Sequence, residues 1–236
     1  MHPCYILHHR PYRETSLLLD IFSLNHGRLG LVARGVKKGK RGRGAMLQPM
    51  RRLNLAWSGR SELGTLTGVE ADGEPYRLSG QRLLPAFYLN ELLLRLLHPY
   101  EPDPQLFNTY EICLSQLAGT DDEGRILRMF EKRLLQTLGY GLVLDRETLT
   151  GDKIHPETVY YYHFDHGPDI SKLSSHDAVR ISGRTLLALN NEDVWDEDIA
   201  RESKSLLRNI LDRHLDNRPL HSRELYKAYL KNRQPA

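Results

Sequence analysis

The hydrophobic period of this chain changes near residue 78, and that change bounds the folds it can adopt. Before it, short runs carry strand signals and tight turns separate them. Cys4 to His9 is a brief extended run, and Ser16-Leu-Leu-Leu-Asp-Ile-Phe-Ser-Leu24 is a second. Asn25-His-Gly27 is a turn signal, and Arg28 to Arg34 returns with partial alternation to close a hairpin. Arg52-Leu-Asn-Leu-Ala-Trp-Ser58 alternates polar and apolar residues, the period-2 pattern of a half-buried strand, and Leu63 to Val69 partly repeats it.

After the change the spacing is helical. Leu84 to His98 is apolar on nearly all sides and reads as a buried helix with Pro85 in its first turn. Pro99-Tyr-Glu-Pro-Asp-Pro104 stops it, and Asp103 or Pro104 starts a second helix over 105–118, ending at Gly119. Asp121 or Asp122 caps a third, which runs through Leu138 to Gly139 with Leu127, Phe130, Leu134 and Leu138 on one face. Val159-Tyr-Tyr-Tyr-His-Phe164 reads as a strand in a small ribbon, and helices recur at 176–189, 196–215 and 222–231. The fold class expected is therefore α+β. Five short strands in about 70 residues suit a small closed barrel such as the OB-fold over 1–78, and a helical domain fills 79–236.

Charge is distributed as unevenly as hydrophobicity. Residues 21–61 hold ten Lys or Arg and no acid, and six of the ten crowd into Arg34-Gly-Val-Lys-Lys-Gly-Lys-Arg-Gly-Arg43. The whole chain is only +3, so the remainder carries 23 basic residues against 30 acidic, a net −7. Such asymmetry attracts polyanions, and nucleic acid is the first candidate. A charge run is also commonly plain soluble surface. Here the tract joins two strands of the expected barrel and lies near Arg28, Arg51, Arg52 and Arg60. The phosphate-binding set expected is Arg28, Arg34, Lys37, Lys38, Lys40, Arg41, Arg43, Arg51 and Arg52, each contact releasing counterions and making binding salt-dependent. The tract has no aromatic residue, so base stacking would fall to Tyr12, Phe22 or Trp57, all of which read more simply as core.

Several chemistries are excluded or unsupported. Gly39-Lys40 is followed by Arg41, so no P-loop hydroxyl is present. No G-x-S-x-G elbow occurs. The cluster His155, His163, Asp165, His166, His176 and Asp177 matches neither an HExxH nor a zinc-finger spacing, and we expect neither a metal nor any other cofactor. The two cysteines, Cys4 and Cys113, form no CxxC pair. No apolar run approaches the ~18 residues of a membrane span, and the N-terminus lacks a secretory pattern, so the cytosol is the expected compartment. On the third helix Arg128 flanks the apolar face, with Leu135 nearly eclipsed seven residues on. An Arg beside apolar side chains can clamp a carboxylate while its neighbours bury a ring. Spacing alone favours a simpler i, i+3 pair with Glu131.

Order and spacing of several segments then resemble the RecO family of bacterial recombination mediators. They are Tyr12-Arg-Glu-Thr-Ser-Leu-Leu-Leu-Asp-Ile-Phe22, Gly27 to Val36, Leu47-Gln-Pro49, Tyr88-Leu-Asn-Glu-Leu-Leu93, Leu127-Arg-Met-Phe-Glu131 with Leu138-Gly-Tyr-Gly141, and Ser222-Arg-Glu-Leu225. The resemblance implies an OB-fold followed by a helical domain with a small β insertion, near 142–172 in this chain. It implies binding of single- and double-stranded DNA, annealing of complementary strands, and binding of the acidic C-terminal tail of the single-stranded-DNA-binding protein SSB. With RecR, such proteins help load RecA onto SSB-coated DNA. Arg128 and Leu135 are similar to the family's tail-binding position, which reverses the preference for the simpler pair. Some members hold zinc with four cysteines after the LGY motif; residues 142–176 contain none, so this chain resembles the zinc-free branch. The expected function is a non-enzymatic DNA-repair and recombination mediator of the bacterial cytoplasm and nucleoid. The alternatives are an RNA-binding OB-fold protein and a metal-dependent hydrolase built on the His/Asp cluster.

Overall fold

A computed structural model describes residues 1–36, 43–59, 63–119, 122–171, 178–192 and 195–231. Two compact units emerge. One comprises residues 1–121 with 220–236, the other 122–219.

In the first unit, β1 (His2–Tyr12), β2 (Ser16–Ser23), β3 (Gly27–Ala33), β4 (Arg52–Ser58) and β5 (Leu63–Ala71) close a barrel in the order β1-β2-β3-β5-β4. β3 and β5 pair in parallel and every other pair is antiparallel. Alternation sends Cys4, Ile6, Leu19, Ile21, Leu31, Leu53 and Leu55 inward, where each is fully buried. The β2–β3 turn at Asn25-His-Gly27 requires its glycine. Gly27 has φ +67°, and a Cβ there would lie 2.3 Å from the Glu101 carbonyl oxygen.

The opposite face of β1 and β2 is buried as well. Tyr5 and Phe22 point out of the barrel and pack on Phe107 and Tyr110, with ring centroids 5.0–5.4 Å apart for the three closest pairs. Those rings belong to α2 (Pro104–Gly119), which Asp103 caps by accepting from the Leu106 N–H at 2.8 Å. α1 (Leu83–Leu96) lies beside it. Its Asn90 donates to the Leu7 carbonyl at 2.7 Å and accepts from the Tyr110 hydroxyl. A bulge in β1 between Ile6 and His8 breaks the ladder at Leu7, and Asn90 supplies that carbonyl with a partner. Chain order puts a boundary at residue 78; packing groups α1 and α2 with the barrel, because the outward aromatic rings of β1 and β2 need a cover.

The same unit takes in α6 (His221–Lys231), which packs on α1. Glu91 of α1 accepts from the His221 N–H (3.0 Å), the Ser222 N–H (2.8 Å) and the Ser222 hydroxyl (2.7 Å), and pairs with Arg95 at 2.9 Å. It is the N-terminal cap of α6, supplied from another helix.

The second unit contains α3 (Glu123–Thr137), a sheet of order β7-β6-β8, α4 (Gly183–Asn191) and α5 (Glu197–His214), where β6 is Val159–His163, β7 Gly167–Asp169 and β8 Val179–Ser182. The α+β class and the barrel-then-helices order expected from sequence are both present. The helix expected at 176–189 starts only at Gly183. Val179-Arg-Ile-Ser182 instead pairs with β6, placing Ile181 opposite Tyr160. Ser182 then caps α4 by accepting from the Thr185 N–H, and Glu202 of α5 binds the Ser182 N–H and the Ser182 and Thr185 hydroxyls at 3.0, 2.7 and 2.6 Å. The buried face of α3 is also rotated from the expected one: Ile126, Phe130, Leu134 and Leu135 are buried, whereas Leu127 is only partly so. No helix among the described residues is long and apolar enough to cross a membrane.

Candidate nucleic-acid interface

The basic segment leaves the barrel at the end of β3. Arg34 is exposed there and has no ion-pair partner among the described residues. Val36 and Met46 pack against the barrel core on either side of the tract. Gly44 lies so close to the Val36 carbonyl oxygen that a Cβ would sit 2.6 Å from it. The two ends of the tract are thus brought together at the barrel wall. Lys37, Lys38, Lys40 and Arg41 lie outside the described residues, and for Arg43 only the backbone, in a short 3₁₀ turn, is described.

Two of the other expected phosphate contacts, Arg28 and Arg52, are employed within the unit. Arg28 donates from Nε to the Leu97 carbonyl at 3.0 Å and accepts at its own carbonyl from the Tyr100 N–H at 2.9 Å, tying β3 to the end of α1. Arg52 pairs with Asp72 at 2.8 Å and with Glu111 of α2, so two carboxylates already hold its charge. Arg51 is partly buried, and its Nε has no hydrogen-bond partner among the described residues. Of the nine cations, Arg34 is the one whose described side chain is exposed and unpaired.

The three possible stacking rings separate clearly. Phe22 is fully buried against α2. Trp57 is partly buried, with its ring against His2 and His26 at 4.9 and 5.1 Å. Tyr12 is half-buried in an open groove of about 590 Å³ formed by the β1–β2 turn, the end of β3 and the start of β5, and Arg34 lines the same groove.

On α3, Arg128 and Leu135 are both buried, at 8% and 0% exposure. Arg128 donates from Nη2 to Glu131, one turn on, and its Nε has no hydrogen-bond partner among the described residues. Lys132 of the same helix is buried too. Its Nζ donates to the Leu189 and Asn190 carbonyls at 2.7 and 3.1 Å and meets Glu192 at 3.3 Å, satisfying the C-terminal carbonyls of α4. Three charged residues buried on one 15-residue helix is unusual, since such groups enter an interior only with partners.

In the His/Asp cluster, the His163 and His166 rings stack at 4.7 Å. His176 and Asp177 lie outside the described residues, and no group of three His, Cys, Asp or Glu among the described residues is arranged to hold a metal. Cys4 and Cys113 are buried free thiols, and burial pushes both up to about 12. Sequence reasoning missed Asn90, Glu91 and Glu111. The first two were signalled by polar residues inside the apolar run of α1; Glu111 had no local signal.

Two family descriptions match the chain. Recombination protein O N terminal covers residues 1–72, and Recombination protein O C terminal covers 77–224. The chain is 46% identical over 224 residues to the DNA repair protein RecO of Methylococcus capsulatus, covering 95% of this chain and 91% of that protein. It is 44% identical over 225 residues to the one from Nitrosococcus oceani (95% and 92%), and 43% identical over 230 residues to the one from Coxiella burnetii (95% and 97%). Matches on this scale, falling on the barrel and on the helical region alike, mean that the chain belongs to the Recombination protein O family.

Proposed function

We propose that this chain is a DNA-repair and recombination mediator that acts without catalysis. It binds single- and double-stranded DNA, anneals complementary strands and docks on the acidic C-terminal tail of SSB. With RecR it helps load RecA on SSB-coated DNA in the bacterial cytoplasm. The observation that carries this reading is the acid-free segment 21–61, anchored at both ends of its tract to a small barrel with Arg34 exposed and unpaired beside it. Cations in such a segment neutralise phosphates on two strands and lower the repulsion that keeps the strands apart. They read no base, so any sequence is accepted. Arg28 and Arg52 add least to this, since their guanidinium groups already serve the fold.

For the SSB tail, Arg128 offers an Nε donor that no group among the described residues uses. A terminal carboxylate takes that donor beside Glu131, and an aromatic side chain enters next to Leu135 as the helix face opens. The charged partner is recognised in a dry site, where the bond is strong and short-ranged.

The test is a salt titration. Neutralising Lys37, Lys38, Lys40 and Arg41 together weakens DNA binding and flattens log Kd against log salt, by about 0.7 per lost phosphate contact on a single strand and about 0.9 on a duplex. An unchanged slope rejects the tract as the binding element. Tighter binding of RNA than of DNA, with SSB tail peptide having no effect on the helical unit, would favour an RNA-binding protein instead.

A further inference from the structure

The groove at the β1–β2 turn has a composition that phosphate binding alone does not require. We infer that it seats one unpaired nucleotide of a DNA single strand, with the base on the ring of Tyr12 and the phosphate between Arg13 and Arg34. This rests on the DNA-binding reading above and deepens it: the tract supplies strength on any DNA, and the groove supplies a preference for strands that are open.

Four observations converge. The volume, about 590 Å³, is in the range of pockets that take small organic ligands, and its mouth is open to solvent. Tyr12 is half-buried there, and its backbone is held in place by pairing with Ser16. Arg13, the next residue, holds its guanidinium carbon 5.3 Å from the centre of that ring. It does so from a left-handed backbone (φ +52°), which a residue with a Cβ adopts at a cost and which clusters at functional sites. Neither Arg13 nor Arg34 has an ion-pair partner among the described residues, whereas Arg52 on the same barrel has two.

The arrangement matches the chemistry of an extruded nucleotide. A base stacks on an aromatic ring whatever its identity, and a guanidinium beside the ring adds a cation–π contribution. Thr15 and Thr65 line the same groove, and a hydroxyl is a group that suits sugar or phosphate oxygens. Glu14 is the one acid in the lining. A base inside a duplex is stacked on both faces and cannot present either one to a ring recessed between strands. The groove therefore separates single strands from duplexes, a distinction the tract does not make.

The experiment uses the full chain and two ligands, a poly-thymidine oligonucleotide and a blunt duplex of equal length, each titrated at several salt concentrations. Tyr12→Ala is expected to weaken single-strand binding about 5- to 10-fold, with duplex affinity and both salt slopes unchanged. Tyr12→Phe, which keeps the ring face, restores the single-strand affinity. Arg13→Gly covers the case in which Tyr12→Ala fails to fold, because glycine accepts the left-handed backbone and so does not destabilise the turn. It reduces the single-strand salt slope by about 0.7. Folded Tyr12→Ala that binds the single strand as well as the parent, or loses both ligands equally, overturns the groove; so does an unchanged slope in Arg13→Gly. A parent chain that binds neither oligonucleotide fails differently and removes the DNA-binding reading with it.

Discussion

Arg34 and Arg128 are the same side chain used under opposite physical conditions. Arg34, at the end of β3, stands in water without an ion-pair partner among the described residues. Its attraction for a phosphate reaches about a Debye length, weakens with salt and accepts any polyanion. Arg128, on α3, is 8% exposed and already paired with Glu131. Its attraction is short-ranged, nearly insensitive to salt and open only to a group that enters a dry site in the right geometry. The difference teaches what burial does to one charge: an exposed guanidinium attracts any polyanion within reach, and a buried one is open only to a group that replaces its present surroundings.

The comparison breaks first at Arg128. Removing one partner of a buried ion pair leaves the other charge without compensation, so Arg128→Ala is expected to lower the stability of the helical unit by about 3–5 kcal/mol. Binding of the SSB tail peptide is lost as well. Below its own melting temperature the variant still anneals naked DNA, because the exposed cations are untouched. Thermal unfolding, peptide titration and strand annealing on one preparation check all three. Intact peptide binding would return Arg128 to a purely structural role.

A neutral buried group sharpens the same contrast at a lower cost. Asn90 links the Leu7 carbonyl to the Tyr110 hydroxyl inside the barrel unit. Asn90→Ala strands both, and urea unfolding should show a loss of about 2 kcal/mol. A loss as large as that of Arg128→Ala would mean that charge is not what distinguishes the α3 site.

Next in size are two carboxylates that cap helices from a distance, one in each unit. Burial works against the charge of Glu91, but the Ser222 hydroxyl and N–H, the His221 N–H and Arg95 outweigh it and hold its pKa below the ordinary glutamate range. Burial likewise opposes Glu202, and Thr185, the N–H and hydroxyl of Ser182, and Arg180 lower its pKa in the same way. Both folded pKa values lie below the unfolded one, so their stabilisation is complete above about pH 4.3 and is lost as the pH falls through the folded values. Melting temperature followed from about pH 6 to pH 3 should fall on the acid side, and Glu91→Gln and Glu202→Gln should each start lower and fall less. An acid limb unchanged in both variants would assign the fall to other carboxylates.

How far the molecule was legible in its sequence follows from the range of each force. The strands and their turns were visible because alternation and glycine act within a few residues, and Gly27 is required by a contact at its own turn. The cover over the outward rings was not, because Tyr5 and Phe22 face Phe107 and Tyr110 of α2, more than 80 residues away. Val179 to Ser182 was read as helix because its pairing with β6, a tertiary contact, overrides a weak local preference. At the candidate site, the exposure of Arg34 followed from a stretch with no acid in it. The employment of Arg52 did not, since Glu111 lies 59 positions along the chain.

That last contrast gives the finest test, because Arg34 and Arg52 sit on one barrel with one charge each. Arg34→Ala removes a cation that touches no carboxylate among the described residues, so its melting temperature should not move, while the salt slope falls by about 0.7 on a single strand and about 0.9 on a duplex. Arg52→Ala leaves Asp72 and Glu111 facing one another without the cation between them. Partly exposed pairs contribute little, so the expected loss of stability is about 0.5–1 kcal/mol, with no change in slope. The two variants lower net charge equally, so a general electrostatic effect would move both slopes alike. Only a phosphate contact made by Arg34 and refused by Arg52 separates them, and equal slopes would show that the barrel attracts DNA through its overall field rather than through particular side chains.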